Sequence, residues 1–249
     1  MKELTVIILA AGMGTRLGDL TKDQPKALTL VAGKPIIEYS LAFARALNPA
    51  KIVVVGGYLF DQLAAAVIAI DKKVVMVENR EYRTTQRMVS LMKAQPEITG
   101  GFLSYDGDYI YHADIAKKIR GHLDDQIKIF GTDDESDDVQ LDMVVKVDQH
   151  NHLVAMAKGL TDYEYYFNSI LYCPEKIVPA FFASATEVLA QGNPQQTHVE
   201  EAILAYAARR GAVAMVDLGY PQWVEIDTPD ERAIAERMIT RNNNGFAAI

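Results

Sequence analysis

The chain has 249 residues, of which 49% are hydrophobic and 23% are charged, a composition typical of a soluble globular α/β protein. Its net charge of −8 and its lack of a basic block argue against non-specific binding to nucleic acids or anionic membranes. No apolar run approaches the roughly 18 residues that a membrane span needs, and the N-terminus lacks a signal-peptide pattern. The single cysteine, Cys173, excludes an intrachain disulfide and favours a reducing compartment, so we expect a cytoplasmic protein.

Strand and helix patterns alternate along the first half of the chain. Apolar or β-branched runs predict strands, and apolar residues three or four positions apart predict helices. The predicted strands are 4–9, 51–57, 73–77 and 101–105, and the predicted helices begin near Pro35, Asp61 and Thr85. This alternation predicts a parallel sheet with helices on both faces, whose ligands bind beyond the carboxyl ends of the strands.

A loop of small residues follows the first predicted strand. Because Gly12 and Gly14 lack Cβ atoms, the backbone N–H groups of this loop can approach a ligand closely. Arg16 and Lys26 add two cations, and backbone donors with Arg and Lys are the groups that bind a triphosphate. The spacing fits neither a P-loop nor a dinucleotide fingerprint, which needs glycine where Leu17 stands. The loop therefore predicts a nucleotide site.

The second half of the chain is richer in strand patterns. The predicted strands are 126–130, 142–147, 153–156, 169–173 and 213–216, and the predicted helices are 179–189, 199–210 and one after Thr228. The Thr-Pro-Asp-Glu run at 228–231 is a capping-box-like helix start. We expect a hairpin turn at 148–152, and we expect Cys173 to be a small buried hydrophobe rather than a catalytic thiol.

Three motifs carry a family resemblance. They are Leu-Ala-Ala-Gly-Met-Gly-Thr-Arg-Leu at 9–17, Pro-Lys-Ala-Leu at 25–28 and Gly-Lys-Pro-Ile-Ile-Glu-Tyr at 33–39. Together they resemble the signature of the sugar-phosphate nucleotidyltransferases. Within that family they are most similar to the small cytidylyltransferases that act on phosphocholine, inositol 1-phosphate or aminoethylphosphonate. The resemblance implies a Rossmann-like, doubly wound α/β fold with a mostly parallel sheet and a small β-rich acceptor-binding portion.

The sequence shows no linker or repeat, so we predict one nucleotidyltransferase domain over residues 1–240. Residues 1–110 form its nucleotide-binding half and 111–240 its acceptor-binding half, and we expect 241–249 to be a flexible tail. The sequence does not decide between a monomer and a homodimer.

Nucleotidyl transfer joins two anions and expels pyrophosphate, so its main requirement is charge stabilisation rather than a general base. Mg²⁺ suits this chemistry and is held by one or two carboxylates. By the resemblance, Asp108 and Asp227 are the metal ligands. Asp106 and Glu225 are weaker candidates, and strand alternation gives Asp106, two positions from Asp108 on the same face, the alternative role of supporting it. Arg16 and Lys26 are the catalytic residues, with Arg16 on the β- and γ-phosphates and Lys26 near the α-phosphate and the acceptor.

The remaining nucleotide contacts are also predicted from the resemblance. The pattern Asn79-x-x-Tyr82…Ser90-Leu resembles the base-binding segment of the cytidylyltransferases and favours CTP. The full nucleotide-binding set is Leu9, Ala10, Ala11, Gly12, Gly14, Thr15, Arg16, Asn79, Tyr82, Ser90 and Asp106.

The acceptor is a small phosphate or phosphonate whose identity stays open at this point. A quaternary ammonium would favour aromatic contacts, and the chain offers Tyr163, Tyr165, Tyr166, Phe167 and Trp223. Of these we predict that Tyr163, Tyr165 and Trp223 contact the acceptor together with Lys26. The run 158–160 before a Tyr-rich strand is also compatible with a polyol phosphate acceptor. The acidic run 133–138 could attract a primary ammonium, although a solvated hairpin loop is the more common role of such a run.

Two other functions compete with cytidylyl transfer. A sugar-1-phosphate uridylyl-, thymidylyl- or guanylyltransferase would use the same loop, and tight binding of another nucleotide would favour it. A non-catalytic nucleotide-binding module would keep the fold but is disfavoured because Arg16, Lys26, Asp108 and Asp227 are all present.

Overall fold

A computed structural model describes residues 3–133, 143–219, 223–241 and 245–246. Its strands are β1 Leu4–Ala10, β2 Leu30–Val31, β3 Lys34–Pro35, β4 Lys51–Gly56, β5 Val75–Glu78, β6 Gly101–Asp106, β7 Tyr109–Tyr111, β8 Lys128–Thr132, β9 Met143–Val147, β10 Leu153–Lys158, β11 Tyr165–Cys173, β12 Ala214–Asp217 and β13 Trp223–Glu225. Its α-helices are α1 Ile36–Ala46, α2 Phe60–Ile70, α3 Arg87–Ala94, α4 Ala113–Arg120, α5 Val178–Gln191, α6 Val199–Arg209 and α7 Pro229–Arg241.

One large sheet forms the centre of the molecule. Its strands follow the order β10-β9-β11-β6-β1-β4-β5, and β8 pairs with β11 and with β12. The strands β1, β4, β5 and β6 are mutually parallel. The strand β11 is antiparallel to β6, β8 and β9, so β8 and β9 run in the same direction as β6. The strand β12 is parallel to β8 and also shares this direction. Only β10 and β11 run the other way in the described sheet. The predicted α/β fold with a mostly parallel sheet is therefore confirmed.

Helices cover both faces of this sheet because side chains alternate along each strand. In β1, Val6 and Ile8 join a buried cluster with α1, α2 and α4, whereas Ile7 and Leu9 join a second cluster with α3, α5 and α6. A third cluster packs α7 against the start of α1. The sheet is thus buried on both sides, which explains why its central strands read as continuous apolar runs.

A separate two-stranded ladder lies beside the main sheet and matters most for the site. β13 pairs antiparallel with β7, with Glu225 opposite Tyr109, and the Ile226 N–H donates to the Asp108 carbonyl at 3.0 Å. In an antiparallel pair the start of one strand lies beside the end of the other. The ladder therefore brings the residue before β7 next to the residues after β13.

The structure departs from the expected elements in a few places. α4 and β7 were not predicted, and both are short. Two residues of the predicted tail are described: Phe246 is buried against His112, and the Gly245 carbonyl accepts from the Ala113 N–H at 2.8 Å. The acidic run 133–138 lies outside the described residues apart from Asp133. None of the helices in the described ranges is long and apolar enough to cross a membrane.

Candidate active site

The glycine loop after β1 forms one wall of the site. Gly14 has a left-handed backbone (φ 66°), and a Cβ there would lie 2.7 Å from the Lys26 Cβ, so glycine leaves room for the lysine chain. Gly12 differs, since an added Cβ would meet no protein atom within 4 Å. The fold itself therefore requires glycine at position 14, whereas position 12 is open.

Lys26 lies at the centre of the site. It is only 7% exposed, its Nζ donates to Asp108 Oδ2 at 2.6 Å, and it also donates to Asp227 Oδ1. Burial alone would lower the pKa of Lys26, but the two carboxylates outweigh it and hold that pKa above its ordinary value. The exposed guanidinium of Arg16 pairs with the other oxygen of Asp227. The loop thus carries two cations that converge on the same carboxylate.

Three carboxylates meet beside Lys26. One oxygen each from Asp108, Glu225 and Asp227 lie within 4.8 Å of one another. Burial, followed by the charges of Asp108 and Asp227, raises the pKa of Glu225 to about 8, and a hydrogen bond from the Tyr109 hydroxyl (2.9 Å) opposes this rise. The Asp108 Oδ1 atom is buried and has no hydrogen-bond partner among the described residues. Crowded carboxylates with an unpartnered oxygen are the donor set that suits a hard divalent cation such as Mg²⁺.

The backbone of Asp227 is fixed by the start of α7. The Glu231 carboxylate accepts from the N–H groups of Asp227 and Thr228, both at 2.7 Å, and the Thr228 hydroxyl accepts from the Glu231 N–H at 3.3 Å. This is the reciprocal arrangement of a capping box, as the sequence predicts. The cap therefore orients a carboxylate of the site.

Arg87, the first residue of α3, links two further acids. Its guanidinium pairs with Asp106 and lies 2.5 Å from Glu200 Oε1. The Ser169 hydroxyl donates to the same Asp106 carboxylate at 2.6 Å from a left-handed position (φ 68°) where the register of β11 shifts. Burial raises the pKa of Asp106 to about 6 although Arg87 acts to lower it.

These groups surround one cavity of about 580 Å³. Of the residues expected from the sequence, it is lined by Gly12, Gly14, Thr15, Arg16, Lys26, Asp106, Asp108 and Asp227. Leu9 and Ala10 line a small adjoining cavity of about 40 Å³ that also reaches Lys26 and Asp108. Ala11, in the loop itself, is buried, and its carbonyl accepts from the Tyr58 N–H at 3.1 Å.

Three predicted base contacts lie away from the cavity lining. Asn79 is buried, and its side chain donates to Ser90 Oγ at 3.0 Å and accepts from the Glu81 N–H at 3.0 Å. Tyr82 sits in the same segment, where its hydroxyl accepts from Arg83 at 3.0 Å. In this structure these residues shape the segment that leads into α3 and so place Arg87.

The predicted aromatic acceptor contacts are also absent from the described lining. Trp223 is fully buried because β13 pairs with β7 and turns its indole into the first core cluster. Tyr163 and Tyr166 face each other with their hydroxyls 2.7 Å apart, and Tyr165 packs on the second cluster. The structure thus places Trp223 in the core and outside the described lining of the cavity.

The structure adds cavity residues that were not among the site residues predicted from the sequence. They are Gln86, Arg87, Tyr109, Met143, Met156, Ala157, Lys158, Phe167, Ser169, His198, Glu200, Glu201 and Leu204. Glu225, predicted from the sequence only as a weaker metal-ligand candidate, also lines the cavity. For Glu225, its two-residue spacing from Asp227, the same spacing as Asp106 and Asp108, is the signal that could have found it. Arg87 lies within the segment 79–90 that the sequence links to base binding, whereas no local sequence signal points to Glu200.

The sequence matches one NTP transferase family model and is similar to two cytidylyltransferases. A sequence model of the MobA-like NTP transferase domain matches residues 6–173. A choline-phosphate cytidylyltransferase of Streptococcus pneumoniae is 32% identical over 108 residues, 43% of this chain and 46% of that protein. A CTP:phosphoglutamine cytidylyltransferase of Campylobacter jejuni is 33% identical over 123 residues, 47% of this chain and 48% of that protein. The matched segments thus span about half of each relative.

The fold comparison covers more of the chain. The inositol-1-phosphate CTP transferase from T. maritima superposes with a TM-score of 0.80 at 18% sequence identity, covering 96% of this chain and 97% of that structure. At this identity the likeness establishes the fold.

Proposed function

This chain belongs to the MobA-like NTP transferase domain family, and we propose that it is a Mg²⁺-dependent nucleotidyltransferase. The reaction we propose is transfer of CMP from CTP to a small phosphate or phosphonate acceptor, with release of pyrophosphate. The observation that carries the proposal is the buried Lys26 held between Asp108 and Asp227, directly beneath the glycine loop.

The reaction requires an acceptor oxygen to attack the α-phosphorus of the nucleotide. A new P–O bond forms, the bond between the α-phosphorus and the β-phosphate oxygen breaks, and pyrophosphate leaves with that electron pair. The acceptor phosphate is already ionised near neutral pH, so no protein base has to remove a proton. Charge stabilisation and alignment therefore supply most of the catalysis.

Two cations of the chain face these anions. Lys26 is a buried ammonium at the carboxylate cluster and would lower the repulsion between the acceptor and the α-phosphate. Arg16 is exposed at the mouth of the loop, where its planar guanidinium can bind two phosphate oxygens. The open space at Gly12 lets the nucleotide approach the loop backbone.

Asp108, Glu225 and Asp227 would hold the Mg²⁺ ion. Their oxygens are hard donors, and the unpartnered Asp108 Oδ1 is a ligand atom that no described residue of the protein uses. When bound, the metal supplies positive charge that offsets the negative charge of the phosphates. The Tyr109 hydroxyl and the α7 cap keep two of these carboxylates in place.

The preference for CTP rests on the matched relatives and on one segment of the chain. Two matched relatives and the superposed structure are described as acting with CTP or as cytidylyltransferases. The segment 79–90, which resembles the base-binding segment of that group, leads directly into the cavity at Gln86 and Arg87. A sugar-1-phosphate transferase using UTP, dTTP or GTP is the alternative, and the same assay decides between them.

The test is release of pyrophosphate in the presence of Mg²⁺. Each of CTP, UTP, dTTP and GTP is combined with phosphocholine, aminoethylphosphonate, inositol 1-phosphate or a hexose 1-phosphate. We expect release with CTP and one class of acceptor, and loss of release in Asp108→Asn. Release with another nucleotide and a hexose 1-phosphate would replace our proposal with the alternative, and no release with any pair would contradict nucleotidyl transfer to these acceptors.

A further inference from the structure

The cavity has a second charged region, which Arg87 links to Asp106. It contains Glu200 and Glu201 from the first turn of α6, and its apolar wall is formed by Met156, Phe167 and Leu204. This region does not contribute to the Lys26 and carboxylate cluster. We therefore expect it to contact the part of a bound ligand that lies away from the reacting phosphates.

Glu200 is the unusual group in this region. It is 5% exposed, and its Oε1 is occupied by Arg87, whereas Oε2 is buried and has no hydrogen-bond partner among the described residues. A buried carboxylate oxygen without a donor is costly, so native sites usually supply one. A hydrogen-bond donor on the ligand would satisfy this atom.

The charges of this region favour a cationic donor. Beside the groups assigned to the metal and the triphosphate, the described lining holds three acids, Asp106, Glu200 and Glu201, two cations, Arg87 and Lys158, and the imidazole of His198. The excess negative charge complements a ligand group that carries one positive charge.

The lining also distinguishes between kinds of cation. A quaternary ammonium has no N–H and is usually held by several aromatic faces. Among the described residues of the cavity, Tyr109 and Phe167 supply two six-membered rings and His198 supplies an imidazole. A primary ammonium has three N–H donors and can bond directly to carboxylate oxygens.

We infer that the acceptor carries a protonated primary amine, joined to its phosphate or phosphonate by a short aliphatic chain, and that Glu200 binds this amine. The apolar wall at Met156, Phe167 and Leu204 then covers the methylene groups. The inference rests on the proposed function and adds the acceptor class to it.

The experiment compares matched acceptors on the unmodified protein. With CTP and Mg²⁺, kcat/KM for pyrophosphate release is measured for aminoethyl phosphate and its trimethylated counterpart phosphocholine, and for aminoethylphosphonate. The same quantity is measured for propyl phosphate and inositol 1-phosphate, which carry no cationic group. We expect the amines to exceed the other acceptors by about 10-fold or more, the scale of one charge-assisted hydrogen bond.

Glu200→Gln then tests the assigned residue. Glutamine keeps the size of the side chain and can still accept from Arg87, but it removes the charge. We expect the preference for amines over propyl phosphate to fall by about 10- to 100-fold. Glu187→Gln, a surface glutamate of α5 paired with Arg209 and Arg210, is the matched control and should keep the preference.

The outcomes separate this inference from the function on which it rests. Equal or better turnover of phosphocholine, propyl phosphate or inositol 1-phosphate would overturn the amine assignment while upholding nucleotidyl transfer. An unchanged preference in Glu200→Gln would overturn the role of Glu200. No release with any acceptor, together with no rise in melting temperature on adding Mg²⁺ and nucleotide, would overturn both.

Discussion

Replacing Lys26 by methionine keeps the length of a buried side chain and removes its charge. In the unmodified protein this ammonium donates to both Asp108 and Asp227 and is 7% exposed. Without it, two carboxylates face each other with Glu225 nearby. Breaking a buried pair typically costs about 3–5 kcal/mol, and because the Asp108 side chain is 25% exposed we expect about 2–4 kcal/mol here.

The loss of stability should depend on the metal. For a chain of this size, 1 kcal/mol shifts the melting temperature by about 2–4 °C, so Lys26→Met should melt about 6–12 °C lower for a 3 kcal/mol loss. Mg²⁺ would restore positive charge to the carboxylate cluster and should recover part of this loss by binding the folded state. Thermal unfolding followed by circular dichroism, with and without Mg²⁺, measures both effects.

Lys128→Met is the matched control. Lys128 is also buried, and it donates to the His122 carbonyl at 2.8 Å and to Asp124, neither of which lines the cavity. Its replacement should lower the melting temperature without recovery by Mg²⁺. Equal recovery in the two variants, or none in Lys26→Met, would refute the assignment of the cluster as a metal site adjoining Lys26.

The same variant tests catalysis. Loss of one charge-assisted contact to a developing phosphate charge should raise the barrier by about 2–4 kcal/mol, which is about 30- to 1000-fold in kcat/KM. Turnover within a few-fold of the unmodified protein, measured at a temperature where both are folded, would show that Lys26 has only a structural role.

Further variants probe other parts of the site and core. Asp108→Asn should abolish the stabilisation by Mg²⁺ and lower pyrophosphate release by at least about 100-fold, measured with Mg²⁺ in excess. Gly12→Ala should keep the melting temperature but raise the KM for the nucleotide, whereas Gly14→Ala should lower the melting temperature because its Cβ would meet Lys26 at 2.7 Å in a left-handed conformation. Cys173 is fully buried and burial raises the pKa of its thiol, so a thiol reagent should label it only after unfolding; rapid labelling of the native protein would contradict this placement.

The sequence predicted best what depends on neighbouring residues. The loop after β1, the capping box at Thr228 and the turn at 148–152 each carry their own local chemistry, and all three form as expected; in the turn, Asp148 accepts from the N–H groups of His150 and His152. The parallel sheet followed from the alternation of strands and helices. Such features are visible in one stretch of chain.

The sequence could not show what depends on distant pairing. Trp223 was expected at the acceptor because aromatic rings suit a quaternary ammonium, but its pairing with Tyr111 across the β7–β13 ladder turns it into the core. Arg87 and Glu200 lie 113 residues apart and meet only because α3 and α6 pack on the same face of the sheet. A side chain's local pattern does not reveal a partner at that separation.

The ladder also explains how the carboxylate cluster is assembled. Asp108 precedes β7 and Asp227 follows β13, so antiparallel pairing places the two carboxylates side by side without any contribution from the order of the main sheet. Glu225 enters the same cluster because it lies opposite Tyr109, whose hydroxyl holds it. Lys26, which lies 82 residues from Asp108 and 201 from Asp227, then supplies the charge that makes three neighbouring acids tolerable in the folded protein. Lys26 thus offsets the charge of the carboxylates when no ligand is bound. A bound cation would contact the same carboxylates, and an anionic nucleotide would contact the same lysine.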